Sequence, residues 1–463
     1  MKNNKEKIIK KIPVFIKNFF TKDAKMKLLV AYLIANLVYI LVGSYIFMTG
    51  KISSQFHYKE FSLGLKKLLE YNVIVFLVIL FEKRYKKNWT HLGILFIAIF
   101  AIISTVFAFD RKIALNGCPG RFEGLYSVLY YLSVMLLSTF VSNKYKKVLV
   151  NCILICGAIQ AGYAVCQCFN WLHVKQYGKA IKVYDEMVHA TVFKTQPWIL
   201  GLTNNPNFFG TYMLLCLSYA MGLFIDSKKF IKGFIYCLLI ALFMFALLAS
   251  NTASAAVGLI FALAFIIVYV IKNKMFIKLL VIFSILSSTT LLAFVQGKTT
   301  LLKDVTTIGT EATEIAKGNL DDSYGTKRMY IWKRTVEIIP KHLWHGVGVD
   351  SFHKAFDGKA LTRKAETKTI LYDKAHNEYL QILITEGIFA LISYVCLYGF
   401  VTICGLRRCF KFKEVYLVLP VIGYLVQAFF NISVIEVAPM FWMALGLCCG
   451  RNGNLSNFVE KSR

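Results

Sequence analysis

Two polar clusters carry the residue types for group-transfer chemistry on an anionic substrate, Arg328-x-x-x-Trp332 and His376-Asn377. Residues four apart share a helix face, so Arg328, Trp332 and Thr335 line one side of the helix-like run TKRMYIWKRTVEIIPKHLW, with Lys327 and Arg334 on another side. A guanidinium grips phosphate in a bidentate fork and stays charged, and an indole beside it offers a stacking face to a sugar. The same spacing also describes a surface helix with Trp332 packed inward and Arg328 solvated. His376 stands just before an apolar run, in KAHNEYLQILITEG. Its imidazole can take or give a proton near neutrality. The competing reading is a polar cap, with Asn377 as the N-cap of the helix that follows.

Further polar groups recur at the ends of apolar runs. TNNPNFFGTY (203–212) offers Asn205 and Asn207, whose amides suit sugar hydroxyls, while Pro206 and Asn207 also fit a helix start. GRFEGLY (120–126) offers Arg121, either to a phosphate or to its neighbour Glu123. Glu70, Glu386 and Glu436 lie in or near apolar runs, where a charge is costly unless paired or wet. Gly346 and Gly348 read as a structural turn between helices. His342, His345 and His353 lack the spacing and paired carboxylates of a zinc site, and no metal or cofactor is expected. Eleven of the 12 cysteines fall within or at the ends of apolar runs, as small packing residues do.

The elements that must position these groups are membrane helices. The 463 residues are 57% hydrophobic and 17% charged, against roughly a quarter charged in soluble proteins. Apolar runs close to the ~20 residues that span a bilayer recur along the chain, without the alternation of a membrane barrel. The expectation is an all-α polytopic protein with about 12 spans, at 28–48, 66–81, 89–109, 125–141, 148–169, 208–225, 233–249, 255–271, 279–296, 380–405, 415–432 and 434–450. The net charge of +29 suggests a lipid bilayer rather than nucleic acid, because much of it sits in short loops beside the spans. Residues 1–27 carry nine lysines, and segments 82–88, 142–147, 226–232, 272–278 and 406–414 each carry three or four Lys or Arg. This bias puts both termini in the cytoplasm.

The organisation expected is a basic cytoplasmic segment (1–27), nine spans (28–296), a long extracytoplasmic loop (297–379), three spans (380–450) and a cytoplasmic tail (451–463). The first segment could lie on the inner leaflet as an amphipathic helix, although Pro13 would kink it. A loop of this length, not of low complexity, reads as a small folded helical cap.

Taken in order, GLTNNPNFFGTYM, RMYIWKRTVEIIPKHLWHGVGVDSF and AHNEYLQILITEG resemble the O-antigen ligase and polymerase family, over about residues 120–400 and most specifically over 328–387. The resemblance implies a GT-C-like membrane glycosyltransferase of the bacterial cytoplasmic (inner) membrane, with its active site on the extracytoplasmic face. The donor would be a glycan on undecaprenyl diphosphate, and the acceptor a glycan, lipid or protein hydroxyl. By that analogy Arg328 matches the loop arginine that handles the diphosphate, and His376 the histidine at the acceptor hydroxyl. One position departs from the pattern. In ASNTASAAVG, Ala253 stands where an arginine would be expected, and Arg121, Arg111 or Lys194 would have to replace it. Two other readings stay open. A flippase for lipid-linked oligosaccharide, or another polysaccharide transporter, would need a charged path through the spans. A glycosyltransferase of the shape-and-division class would rely on an outer-loop aspartate, Asp350 or Asp373.

Overall fold

The computed structural model describes residues 22–48, 54–81, 88–173, 177–185, 190–356, 361–365 and 368–449. The first 21 residues, and with them most of the expected basic amphipathic segment, lie outside the described residues, as does the tail from 450. Six helices come first: α1 (Lys22–Met48), α2 (Ser54–Phe81), α3 (Trp89–Val106), α4 (Arg111–Asn116), α5 (Leu125–Thr139) and α6 (Asn143–Phe169). A hairpin, β1 (Tyr177–Asp185) and β2 (Ala190–Trp198), separates them from α7 (Pro206–Asp226), α8 (Phe230–Ala249), α9 (Ala253–Lys272) and α10 (Phe276–Val295). The long loop holds α11 (Leu301–Ala316), α12 (Tyr324–His342) and a second hairpin, β3 (Leu361–Ala365) with β4 (Lys368–Tyr372). Four helices close the chain: α13 (Glu378–Glu386), α14 (Ile388–Phe412), α15 (Val415–Gln427) and α16 (Ala438–Cys449).

Among the described residues, eight helices are long and apolar enough to cross a bilayer, and three more are apolar but shorter. With α2, they supply a helical counterpart to every expected span. This is a polytopic all-α membrane protein, with sheet confined, among the described residues, to two hairpins that the apolar pattern did not announce.

The core explains the order of the helices. The most hydrophobic segment of α7 is wholly buried, and α6, α8, α9 and α15 pack around that helix. Its small residues make that possible. A Cβ on Gly222 would sit 2.4 Å from the Tyr416 Cα of α15, and one on Gly210 equally close to the Thr252 side chain. In lipid, helix association relies on such close backbone approach rather than on hydrophobic burial alone.

One expected span is broken. The run at 380–405 is two helices, α13 and α14, because Gly387 has a φ of +91°. The space there admits no side chain, since a Cβ on Gly387 would lie 2.4 Å from the Trp344 carbonyl oxygen. The Ile388 N–H then donates to the Leu343 carbonyl at 2.7 Å, so the cap grips the break. The GVG turn behaves as the structural joint expected. The N–H groups of Val347 and Gly348 donate to the carbonyls of Ile384 and Thr385 at 3.1 and 3.0 Å. The cap has its own small core, in which Ile331, Val347, Phe352, Leu361, Ala375 and Ile384 are buried together.

Candidate active site at the cap–bundle junction

The residues around His376 are held from four directions. Asp373 accepts from Arg121 Nε at 2.7 Å, which corrects the alternative pairing of Arg121 with Glu123. Lys374, 3% exposed, pairs with Asp350 at 2.5 Å and Glu123 at 3.4 Å. The Ala375 carbonyl accepts from the Trp332 indole at 3.0 Å, and its N–H donates to Gln381 Oε1 at 2.8 Å. Asn377 is the N-cap of α13, its Oδ1 accepting from the Leu380 N–H at 3.0 Å. His376 itself sits at a φ of +52°, a left-handed conformation that costs a non-glycine residue energy. The bonds on either side impose that conformation. The capping reading of HNE holds at Asn377, while the neighbouring His376 makes no hydrogen bond among the described residues.

The charges bearing on His376 come from distant segments. Burial, followed by Arg328, pushes its pKa down to about 4, with Arg121 and Lys374 adding to the shift and Asp373 opposing it. At neutral pH the ring is therefore unprotonated. Arg328 and Arg121, 207 positions apart in the chain, bear on the same imidazole.

Arg328 is where the regular part of α12 begins. Gly325, Thr326 and Lys327 all have positive φ, between 57° and 76°, so Lys327 does not share a helix face with Arg334 as the spacing predicted. The Gly325 N–H donates to Glu311 Oε2 of α11 at 2.9 Å, tying this left-handed turn to the cap. Among the described residues the Arg328 side chain makes no hydrogen bond or ion pair. It lines a largely apolar cavity of about 160 Å3 with Trp332, Phe430, Glu311, Ala253 and Ser254. Trp332 turns its ring toward Phe430, with centroids 6.4 Å apart, while its indole N–H braces Ala375. Ala253, the position where an arginine was expected, faces the same cavity as Arg328. The Ser254 hydroxyl beside it is buried without a hydrogen-bond partner among the described residues.

The asparagine motif packs beneath. Asn205, not Asn207, is the N-cap of α7, accepting from the Asn207 N–H at 2.9 Å. The Pro206 carbonyl accepts from Thr252, at the start of α9, at 2.8 Å. The Asn207 carbonyl accepts from Thr211 and Asn431, at 2.7 and 3.3 Å, and its side-chain amide makes no hydrogen bond among the described residues. The Arg121 guanidinium lies 5.8 Å from the Phe208 ring, which joins GRFEGLY to the asparagine motif. The Arg111 guanidinium is engaged with the Val106 carbonyl at 3.0 Å. Lys194 lies on β2, and its side chain falls outside the described residues.

Residues 237–395 match a family model described as O-antigen ligase. Over that segment the chain is similar to the O-antigen ligase family. No curated protein matches the sequence. The ligase-family segment runs from α8 into α14 and contains Arg328, Trp332, Asp350, Lys374 and His376. The match supports ligase- or polymerase-type function in polysaccharide biosynthesis for this multi-pass membrane protein. Arg121, Asn205 and Asn207 precede the ligase-family segment, and the fold carries Arg121 to it through Asp373. Nothing in the local pattern marks Lys374, whose partner Glu123 is 251 positions away.

Proposed function

We propose that the protein transfers a glycan from undecaprenyl diphosphate to an acceptor hydroxyl during cell-surface polysaccharide synthesis, on the outer face of the bacterial cytoplasmic membrane. The termini would be cytoplasmic and residues 297–379 extracytoplasmic, in keeping with the lysine-rich short loops. The observation that carries this reading is that the segment holding His376 is bonded on one side to Arg121, through Asp373, and on the other to Trp332, which shares a cavity with Arg328, at the junction of cap and membrane helices.

In the reaction, the acceptor oxygen bonds to the anomeric carbon as the bond from that carbon to the diphosphate oxygen breaks. The prenyl diphosphate leaves with the electron pair, and the acceptor proton passes to His376. Arg328 lies where charge would grow on the leaving group, and fixed cations of this kind are the most effective aid to such a step. Trp332 offers a ring to the donor sugar, and Asn207 an amide to its hydroxyls. Arg121 supports the site through Asp373 and its charge, and Lys194 is placed with the donor on sequence grounds alone. Binding the anionic donor would offset Arg328 and Arg121 and so raise the basicity of His376. The base would strengthen when the substrate arrives.

The test is transfer by purified protein in liposomes carrying lipid-linked glycan already on the cap side, with acceptor added. Product is expected, whereas a lipid-linked oligosaccharide flippase would form none. Mass spectrometry of lipid-linked glycans after gene deletion then separates the two chemistries of the family. Accumulated single repeats mean a polymerase, and accumulated full chains a ligase.

A further inference from the structure

At the opposite end of the bundle, α6 and α8 pack against each other and against the buried α7. Each begins in a lysine-rich stretch, with Lys144, Lys146 and Lys147 in the first turns of α6 and Lys228, Lys229 and Lys232 around the start of α8. Between them runs an open groove of about 620 Å3, a volume within the ~300–1,000 Å3 of ligand sites. Leu154, Ile155, Ala158 and Ile159 line it from α6, at the spacing of one helix face, with Ile235 and Leu239 opposite. Ala158 keeps the floor low. Ile155 and Ile159 are 60% and 52% exposed, so no part of the described chain covers the groove.

One end of the groove is polar. Lys232 is exposed there, one turn before Tyr236, whose hydroxyl donates to Asn151 Oδ1 across the groove at 3.3 Å. The Asn151 amide N–H2 makes no hydrogen bond among the described residues. From Lys232 to Leu239 the groove follows α8 for about 10 Å, at ~1.5 Å per residue. That covers most of the roughly 15 Å depth of one leaflet's hydrocarbon.

We propose that this groove binds an anionic glycerophospholipid from the lysine-rich leaflet, with its phosphate at Lys232, Asn151 and Tyr236 and an acyl chain along Ile155, Ile159 and Leu239. Charge decides the occupant. Lys147, Lys228 and Lys229 are exposed close to the two helix starts and add to Lys232, whereas Lys146 is buried against the Leu447 carbonyl and Lys144 pairs with Asp23. The resulting potential favours an anionic head over a zwitterionic one. The lipid would bridge the two helices that flank α7, whose far end carries Asn205 and Asn207. This inference rests on the helix pair and its charges and is independent of the proposed reaction.

The test is native mass spectrometry of full-length protein in neutral detergent, titrated separately with dioleoylphosphatidylglycerol, dioleoylphosphatidylcholine and a polyprenyl phosphate. Phosphatidylglycerol should be retained over phosphatidylcholine, in a salt-sensitive manner. Lys232→Ala should weaken its retention about fivefold, the equivalent of ~1 kcal/mol per lysine. Ala158→Phe should fill the floor and displace both phospholipids while leaving Lys232 in place. Equal retention of the two phospholipids, unchanged retention in both variants, or preference for the polyprenyl phosphate would each overturn the assignment.

Discussion

Two clusters of charge sit side by side at the cap–bundle junction, and they are built on opposite principles. In the first, Lys374, Asp350 and Glu123 are all buried and saturate one another. Asp350 Oδ2 accepts the N–H groups of Cys118 and Glu123 at 2.7 and 3.0 Å, and Tyr131 donates to Glu123 at 3.0 Å. Burial alone would strip the Lys374 charge, but the two carboxylates hold its pKa above the ordinary lysine value. In the second, Arg328 and His376 face a cavity or solvent and make no hydrogen bond among the described residues. The closed cluster is scaffold, and the open one has unspent hydrogen-bonding capacity. The difference separates two groups that residue type alone could not, since both clusters are made of ionisable side chains on the same few loops.

Substitutions should separate the two clusters cleanly. The largest effect on rate is expected from His376→Ala, about 10²–10⁴ in transfer, the usual value of a positioned base. Its thermal stability should change little, because the substitution breaks no hydrogen bond among the described residues and alanine carries the same positive-φ strain as histidine. Lys374→Met should do the reverse. It leaves Asp350 and Glu123 buried without their cation, and removing one partner of a buried pair costs about 3–5 kcal/mol. Thermal unfolding in detergent measures this, and Lys374→Met with Asp350→Asn should recover part of the loss. Arg328→Ala should cut transfer by about 10²–10³, the cost of one donor aimed at developing charge, with little change in unfolding. Equal loss of stability and activity in all three variants would erase the distinction.

The pH dependence sharpens the comparison from a different side. The His376 pKa lies near 4 in the fold against an ordinary value of 6.5, so the unfolded chain binds the proton more readily. This group's contribution to stability is therefore full above about 6.5, is lost as pH falls toward 4, and levels off below. The closed cluster has no titration of this kind in that window on the lysine side, because the Lys374 pKa is raised. Acid titration followed by imidazole NMR, with the His376 signal assigned by its loss in His376→Ala, should show that ring neutral down to about pH 5 in wild type. In Arg328→Ala its pKa should rise, because one of the cations that depress it is gone.

Most of the fold was legible because bilayer length and apolar composition leave few alternatives, so every expected span has its helix. The exceptions share a physical reason. The break at Gly387 and the cap of α7 at Asn205 depend on backbone φ and on single hydrogen bonds, which hydropathy averages away. The two hairpins lie in polar loops where apolar periodicity is silent. At the candidate site, the four-residue spacing of Arg328 and Trp332 was readable, and both line one cavity. Asp373 and Lys374 could not be ranked, because what distinguishes them is contact with Arg121, Glu123 and Asp350 across the fold. Sequence alone could not decide whether Arg121 pairs with Glu123, two positions away, or with Asp373, 252 away.

The same contrast of spent and unspent hydrogen bonds recurs in miniature at Asn205 and Asn207. Asn205 uses its side chain as a cap, and replacing such a cap by alanine costs about 1 kcal/mol. Asn205→Ala should therefore lower the unfolding temperature, and Asn205→Asp should restore it, because aspartate caps as well as asparagine. Asn207 holds its neighbours through its backbone carbonyl, which alanine keeps, while its amide is uncommitted among the described residues. Asn207→Ala should leave unfolding nearly unchanged. If its amide meets a sugar hydroxyl, the loss should appear in transfer, as a higher KM for donor or acceptor. A fall in unfolding temperature for Asn207→Ala equal to that of Asn205→Ala would return both asparagines to the scaffold and leave Trp332 as the sugar-facing group of the site.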